Sequence, residues 1–162
     1  DTSSVTLFGN GGAARAALVA FRLAGIKTVI IQARDLMAAR ALAVEFGLGI
    51  GPQPFDSKVE TALLVNATPL GMTAEQCLNC DLANMPARGG VFDMVYQGGE
   101  TPLITAAKAR GLGVATGLEM LVEQAASAFK FFFDVDPPRD KDAELFTILE
   151  SQDQPSQKSQ HD

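Results

Sequence analysis

The chain has 162 residues, 47% of them hydrophobic and 20% charged, and a formal net charge of −6. That balance suits one soluble globular domain with a proper core, and the acidic surplus argues against a nucleic-acid partner, which needs clustered Lys and Arg. No apolar run reaches the roughly 18 residues of a membrane span, and the opening DTSSVTLF has no basic region ahead of an apolar one, so the expected location is cytoplasmic with no membrane partner.

VTLF (5–8) is a short apolar run before glycines and predicts a buried strand. AARAALVAFRLAG (13–25) predicts a helix closed by Gly25. KTVIIQA (27–33) is β-branched and predicts a second strand, followed by a helix over LMAARALAVEFG (36–47) that Gly47 stops. GIGPQPF (49–55) has room for a short third strand. TALLVNAT (61–68) and GGVFDMVY (89–96) predict two further strands, the first leading into the loop PLGM. TPLITAAKARG (101–111) reads as a helix with Pro102 in its first turn. LGVAT (112–116) is a last short strand, and LEMLVEQAASAFKFFF (118–133) a long, largely apolar helix. A short helix is expected within RDKDAELFTILES (139–151), and the polar end of the chain, 151–162, as a disordered tail.

Strands alternating with helices imply parallel crossovers. The expected fold is α/β: a Rossmann-like, doubly wound, mostly parallel sheet with helices on both faces, in one domain over residues 1–150.

Cys77 and Cys80 form a C-x-x-C pair, and the sole histidine is His161, in the tail. A closed zinc site draws on about four ligands, so two reduced loop thiols are expected and no metal. A Ser-His-Asp or Cys-His mechanism lacks a base.

The chemistry concentrates in GNGG. Gly9, Gly11 and Ala14 fit G-x-G-x-x-A between a strand and a helix. Gly9 permits the tight turn, Gly11 lets backbone approach a pyrophosphate, and Ala14 lets the helix pack on the strand. The helix N-terminus offers unpaired N–H groups to phosphate. A bare glycine turn is the competing explanation. At the end of the second strand, QARD carries Arg34, suited to the 2′-phosphate of NADP. Asp35 follows it, either repelling that phosphate or simply pairing with Arg34 in solvent.

GNGGAAR, NATPLGM (66–72), FDMVYQGGETPL (92–103) and TGLEMLVEQAASAF (116–129) come in the order and spacing of the shikimate dehydrogenases. Over residues 5 to about 150 the chain resembles the C-terminal, nucleotide-binding half of that family. The resemblance implies an NADP-dependent oxidoreductase that reduces 3-dehydroshikimate to shikimate in aromatic amino acid (chorismate) biosynthesis. It implies a phosphate loop of Gly9, Asn10, Gly11, Gly12 and Ala13, and 2′-phosphate recognition by Arg34. It also implies a cofactor-lining segment at Asn66 and Thr68, a nicotinamide region at Met94 and Gly117, and substrate contacts from Tyr96 and Gln124. The residues alone leave plainer roles open: turn capping for Asn66 and Thr68, core packing for Met94 and Met120, an edge aromatic for Tyr96. A Gln within apolar MLVEQAASAF is expected to have a specific partner.

Where the family commonly carries Asn, Thr or Ser, and a basic residue around the arginine, this chain has Ala33, Asp35 and Ala38. NAD therefore stands beside NADP as cofactor. Glu119 replaces a usual glycine. A quinate/shikimate dehydrogenase-like protein using NAD, or a non-catalytic nucleotide-binding module, is the alternative reading. In the family the catalytic Lys–Asp pair belongs to an N-terminal substrate domain, expected to be absent here. None of Lys27, Lys58, Lys108, Lys130 and Lys141 stands in its motifs, so no catalytic residue is assigned in this chain. The expected partners are a small-molecule substrate of the shikimate or quinate class and that missing domain. A homodimer is a further option, through apolar surface near Tyr96 and Phe131, Phe132 and Phe133.

Overall fold

The computed structural model describes residues 4–47, 51–73, 76–96 and 99–152. Five strands, β1 (Ser4–Phe8), β2 (Thr28–Gln32), β3 (Leu63–Asn66), β4 (Gly90–Asp93) and β5 (Gly113–Ala115), form one parallel sheet in the order β2-β1-β3-β4-β5. Five helices complete the chain: α1 (Gly12–Leu23), α2 (Leu36–Phe46), α3 (Pro102–Ala109), α4 (Gly117–Phe133) and α5 (Asp142–Gln152).

Of the strand expected at 49–55, the described residues 51–55 form a single parallel bridge, Gln53 opposite Gln32. Gln53 N donates to Ile31 O at 2.9 Å, and Ala33 N donates to Gln53 O at 3.3 Å. Pro52 and Pro54 on either side have no N–H to extend the ladder. Residues 48–50 lie outside the described residues. With this bridge at the edge beyond β2, the order is that of a doubly wound dinucleotide fold.

Period-two alternation splits the strands between two cores. Val5 and Leu7 of β1, Val29 and Ile31 of β2 and Val65 of β3 pack under α1 and α2 through Ala14, Leu18, Phe21, Ala39 and Leu42. Phe8, Leu64 and Val91 point the other way, toward Leu103, Ile104 and Ala107 of α3 and the loop residues Val59, Leu78 and Met85. Each fully buried Leu, Val or Phe contributes about 1.5–3 kcal/mol. The chain leaves β1 toward β2 and leaves β3 toward β4, so the sheet reverses direction between β1 and β3. Ligands of open α/β sheets bind at that place, outside the strands' carboxyl ends.

α4 is the long, largely apolar helix expected over 118–133, with an exposed apolar end. Only Gly117 and Val122 along it are buried, while Phe131, Phe132 and Phe133 are 82%, 75% and 64% exposed. α5 runs on through Gln152, two positions into the segment expected as tail, and Ser151 Oγ donates back to Ile148 O. His161 and the rest of that tail lie outside the described residues. Cys77 and Cys80 are half-buried and not disulfide-linked. No helix among the described residues is long and apolar enough to cross a membrane.

Candidate functional site

The glycine loop divides into positions the fold needs and positions it does not. Gly9 has φ +102, and a Cβ there would meet Ala67 O at 2.9 Å and Thr68 Cγ2 at 3.0 Å. Its N–H donates to Gln32 O at 2.9 Å, tying the turn to β2. Ala14, in the first turn of α1, is fully buried against the sheet, where only a small side chain allows close helix–sheet packing. By contrast a Cβ on Gly11 or Gly12 would meet nothing within 4 Å. Gly11 is the N-cap of α1 with no side-chain cap, and the first turn has no acid. The N–H groups of Gly12 and Ala13 therefore stand without a side-chain cap at the positive end of the helix, with open space beside both glycines. This is the donor set and the clearance that a pyrophosphate requires. Asn10 Nδ2 donates to Asp35 O at 3.3 Å and joins the loop to the turn after β2.

At that turn no ion pair joins Arg34 to Asp35, contrary to the solvated pair the sequence allowed. Asp35 is the N-cap of α2, and its Oδ1 accepts from Met37 N and Ala38 N, both at 3.0 Å. Its carboxylate is turned onto its own helix, where the first-turn N–H groups have no intrahelical partner. Arg34 is exposed, with no hydrogen bond or ion pair among the described residues.

The ends of β3 and β4 are joined by a buried polar network that the sequence did not reveal. Asn66 is fully buried; its Nδ2 donates to Asp93 Oδ1 and to Leu70 O, each at 2.9 Å. Asn66 Oδ1 accepts from Thr68 N at 3.0 Å and Thr68 Oγ1 at 2.7 Å. Asp93, 1% exposed, also accepts from Val95 N at 3.1 Å and, through Oδ2, from Thr101 Oγ1 at 2.6 Å. The available signal was an acid ending an otherwise apolar strand, with a Thr-Pro helix start eight residues on. Asn66 thus shapes the loop, while Thr68 stands at its rim. Met94 N continues the ladder to Asn66 O at 3.0 Å, and its side chain packs against the α1–α2 core.

Gly117 opens α4 against the main chain after β4. A Cβ there would lie 2.3 Å from Val95 O and 2.8 Å from Tyr96 N. Glu119 forms a capping box: its Oε2 accepts from Thr116 N at 2.7 Å and Thr116 Oγ1 at 3.0 Å, and Glu119 N donates to Thr116 Oγ1 at 3.3 Å. The carboxylate replacing a family glycine is thereby turned back onto its own helix.

Two cavities flank this helix start. One, of about 550 Å³, is lined by Asp93, Val95, Tyr96, Thr101 and Thr116. The other, of about 500 Å³, is lined by Phe92, Ala115, Met120, Gln124 and Ser127. Tyr96 and Gln124 therefore line different cavities, with Thr116 and Glu119 common to both. Gln124 is exposed and makes no hydrogen bond among the described residues, so the specific partner expected from the sequence is not found among them. Lys108, Lys130 and Lys141 make exposed ion pairs with Glu100, Asp136 and Glu144. Burial, then Asp81 and Asp93, push the Cys80 thiol up to about 11.

A family model described as the shikimate 5′-dehydrogenase C-terminal domain matches residues 117–144. The NADP⁺ shikimate dehydrogenase of Sphingopyxis alaskensis is 41% identical over 92% of this chain and 55% of its own length. Shikimate dehydrogenase from Thermus thermophilus, solved in complex with NADP(H) and shikimate, superposes with a TM-score of 0.77 at 36% identity, over 90% of this chain and 54% of that one. Quinate dehydrogenase from Corynebacterium glutamicum, solved with NAD, gives 0.75 at 28% identity, over 91% and 56%. The chain spans about half the length of the curated relatives it matches. In its motifs, its relatives and its fold, the chain belongs to the shikimate dehydrogenase family.

Proposed function

We propose that the chain is the nucleotide-binding part of an NADP-dependent shikimate dehydrogenase. The observation that carries this is the open cradle at Gly11 and Gly12, over an uncapped helix N-terminus, with unpaired Arg34 at the end of the neighbouring strand. In this reading residues 1–150 form the cofactor domain. The N–H groups of Gly11, Gly12 and Ala13 hold the pyrophosphate, with Asn10 and Gly9 shaping the turn. Arg34 meets the 2′-phosphate, to which a guanidinium pairs in bidentate fashion. Thr68, Met94 and Gly117 border the nicotinamide half, and Asn66 holds Thr68 in place. Tyr96 and Gln124 reach toward substrate.

When bound, the cofactor supplies hydride for reduction of 3-dehydroshikimate. This chain's residues orient the ring and leave catalysis to a substrate domain that closes the other side of the cleft. Holding both reactants in register is what converts binding into rate. The exposed Phe131–Phe133 face is the surface on which such a domain, or a second copy in a homodimer, would lie. The reaction belongs in the cytoplasm, where reduced nicotinamide cofactors are used.

A quinate dehydrogenase using NAD is the second reading, favoured by Ala33 and Asp35 in place of 2′-phosphate donors. Titrating the chain with NADP and with NAD separates the two. Tighter NADP binding, with no oxidation of shikimate by the isolated chain, is expected. Robust shikimate oxidation by these 162 residues would overturn the assignment of catalysis to another domain.

A further inference from the structure

We propose that Asp93, which carries none of the roles above, is the positioning residue for the nicotinamide half of the site; this rests on the NADP reading. Three segments converge on its two oxygens. Asn66 Nδ2 comes from the end of β3, Val95 N from the loop after β4, and Thr101 Oγ1 from the N-cap of α3. Among the described residues no Lys or Arg lies within ion-pair distance, so hydrogen-bond direction fixes this carboxylate.

Each partner passes the constraint on. Asn66, held by Asp93, holds Thr68 through both its N–H and its hydroxyl. Val95, held by its N–H, presents the carbonyl against which Gly117 seats the start of α4. Thr101 caps α3 through Ile104 N at 3.3 Å and closes the far wall of the cavity that Tyr96 lines. One buried side chain thus sets the relative placement of Thr68, Tyr96 and Gly117. The glycine cradle and Arg34 are built from β1, β2 and their turns; Gly9 packs on Ala67 and Thr68, but among the described residues no side-chain hydrogen bond of the Asp93 network reaches the cradle or Arg34.

That separation supplies the test. Adenosine 2′,5′-bisphosphate probes the Arg34 half alone, whereas NADPH also reports the ring environment through its own fluorescence. The wild-type chain should bind both and enhance NADPH emission. Asp93→Ala should weaken NADPH about tenfold, the scale of losing a buried hydrogen bond to a charged acceptor, and abolish the enhancement. Affinity for the bisphosphate should stay within about twofold. Asp93→Asn, which keeps the shape and most of the bonds, should recover the emission. Should Asp93→Ala not fold, Thr101→Val removes one of the three donors, and a partial loss of emission with unchanged bisphosphate affinity is expected. Equal weakening of both ligands, or unchanged NADPH emission, would overturn the proposal. A wild-type chain that binds neither ligand would overturn the NADP reading itself, and this inference with it.

Discussion

The carbonyl oxygen of Val95 lies 2.3 Å from where a Cβ on Gly117 would stand. The first turn of α4 rests directly on the main chain that follows β4, and this contact sets the spacing between Tyr96 and the helix bearing Gln124. Gly117→Ala must push the two apart. The expected cost is about 1–3 kcal/mol, as for other overpacked sites, read as a lower midpoint in urea unfolding at unchanged slope.

The two ends of the glycine loop should respond oppositely to the same substitution. Gly9→Ala puts a Cβ 2.9 Å from Ala67 O at φ +102, and should destabilise the fold by about 1–3 kcal/mol. Gly11→Ala meets open space at φ −88, so stability should change by less than about 1 kcal/mol. Its methyl would take up the open space beside the uncapped N–H groups, and NADP affinity should fall by about tenfold or more. Calorimetric titration and thermal melts of the two variants check both halves of this contrast.

Asp35 holds the N-terminus of α2 and puts a negative charge one residue from Arg34. Asp35→Ala should cost about 1 kcal/mol of stability, while Asp35→Ser keeps a capping oxygen and should cost little. Both variants remove the negative charge. NADP should bind a few-fold tighter to Asp35→Ser at low salt, an advantage that shrinks as salt is added.

Cys80 gives the chain a pH dependence with a definite sign. Burial and the neighbouring Asp81 and Asp93 raise its pKa from 9.0 to about 11, so the folded state holds its proton longer than the unfolded one. The contribution is therefore complete below pH 9 and lost as pH climbs through about 11. Urea midpoints measured across this range should fall less steeply for Cys80→Ala than for the wild-type chain.

Much of the fold was legible because strand and helix periods alternate cleanly between glycine stops. Gly9 and Ala14 were legible as well, since their roles are set by neighbours close in sequence. Within the described residues 51–55 the expected strand shortens to the Gln53 bridge, because Pro52 and Pro54 cannot donate to a ladder. The sequence leaves Asp35 free to repel a 2′-phosphate and sets Glu119 where the family commonly has glycine. Both instead cap the helices they begin, a role that residues at such positions take whenever first-turn N–H groups are unsatisfied. Asp93 was missed since its partners, Asn66 and Thr101, come from other segments, and only the register of β3 on β4 brings them together.

The most direct measurement is a paired titration of the wild-type chain and Arg34→Ala with NADP and NAD. NADP should bind more tightly than NAD to the wild-type chain. Arg34→Ala should weaken NADP by about tenfold or more, the loss of a charge-assisted hydrogen-bonding group, and leave NAD nearly unchanged. NAD binding at least as tightly as NADP, with no response to the substitution, would contradict the assignment of Arg34 and of NADP as the cofactor.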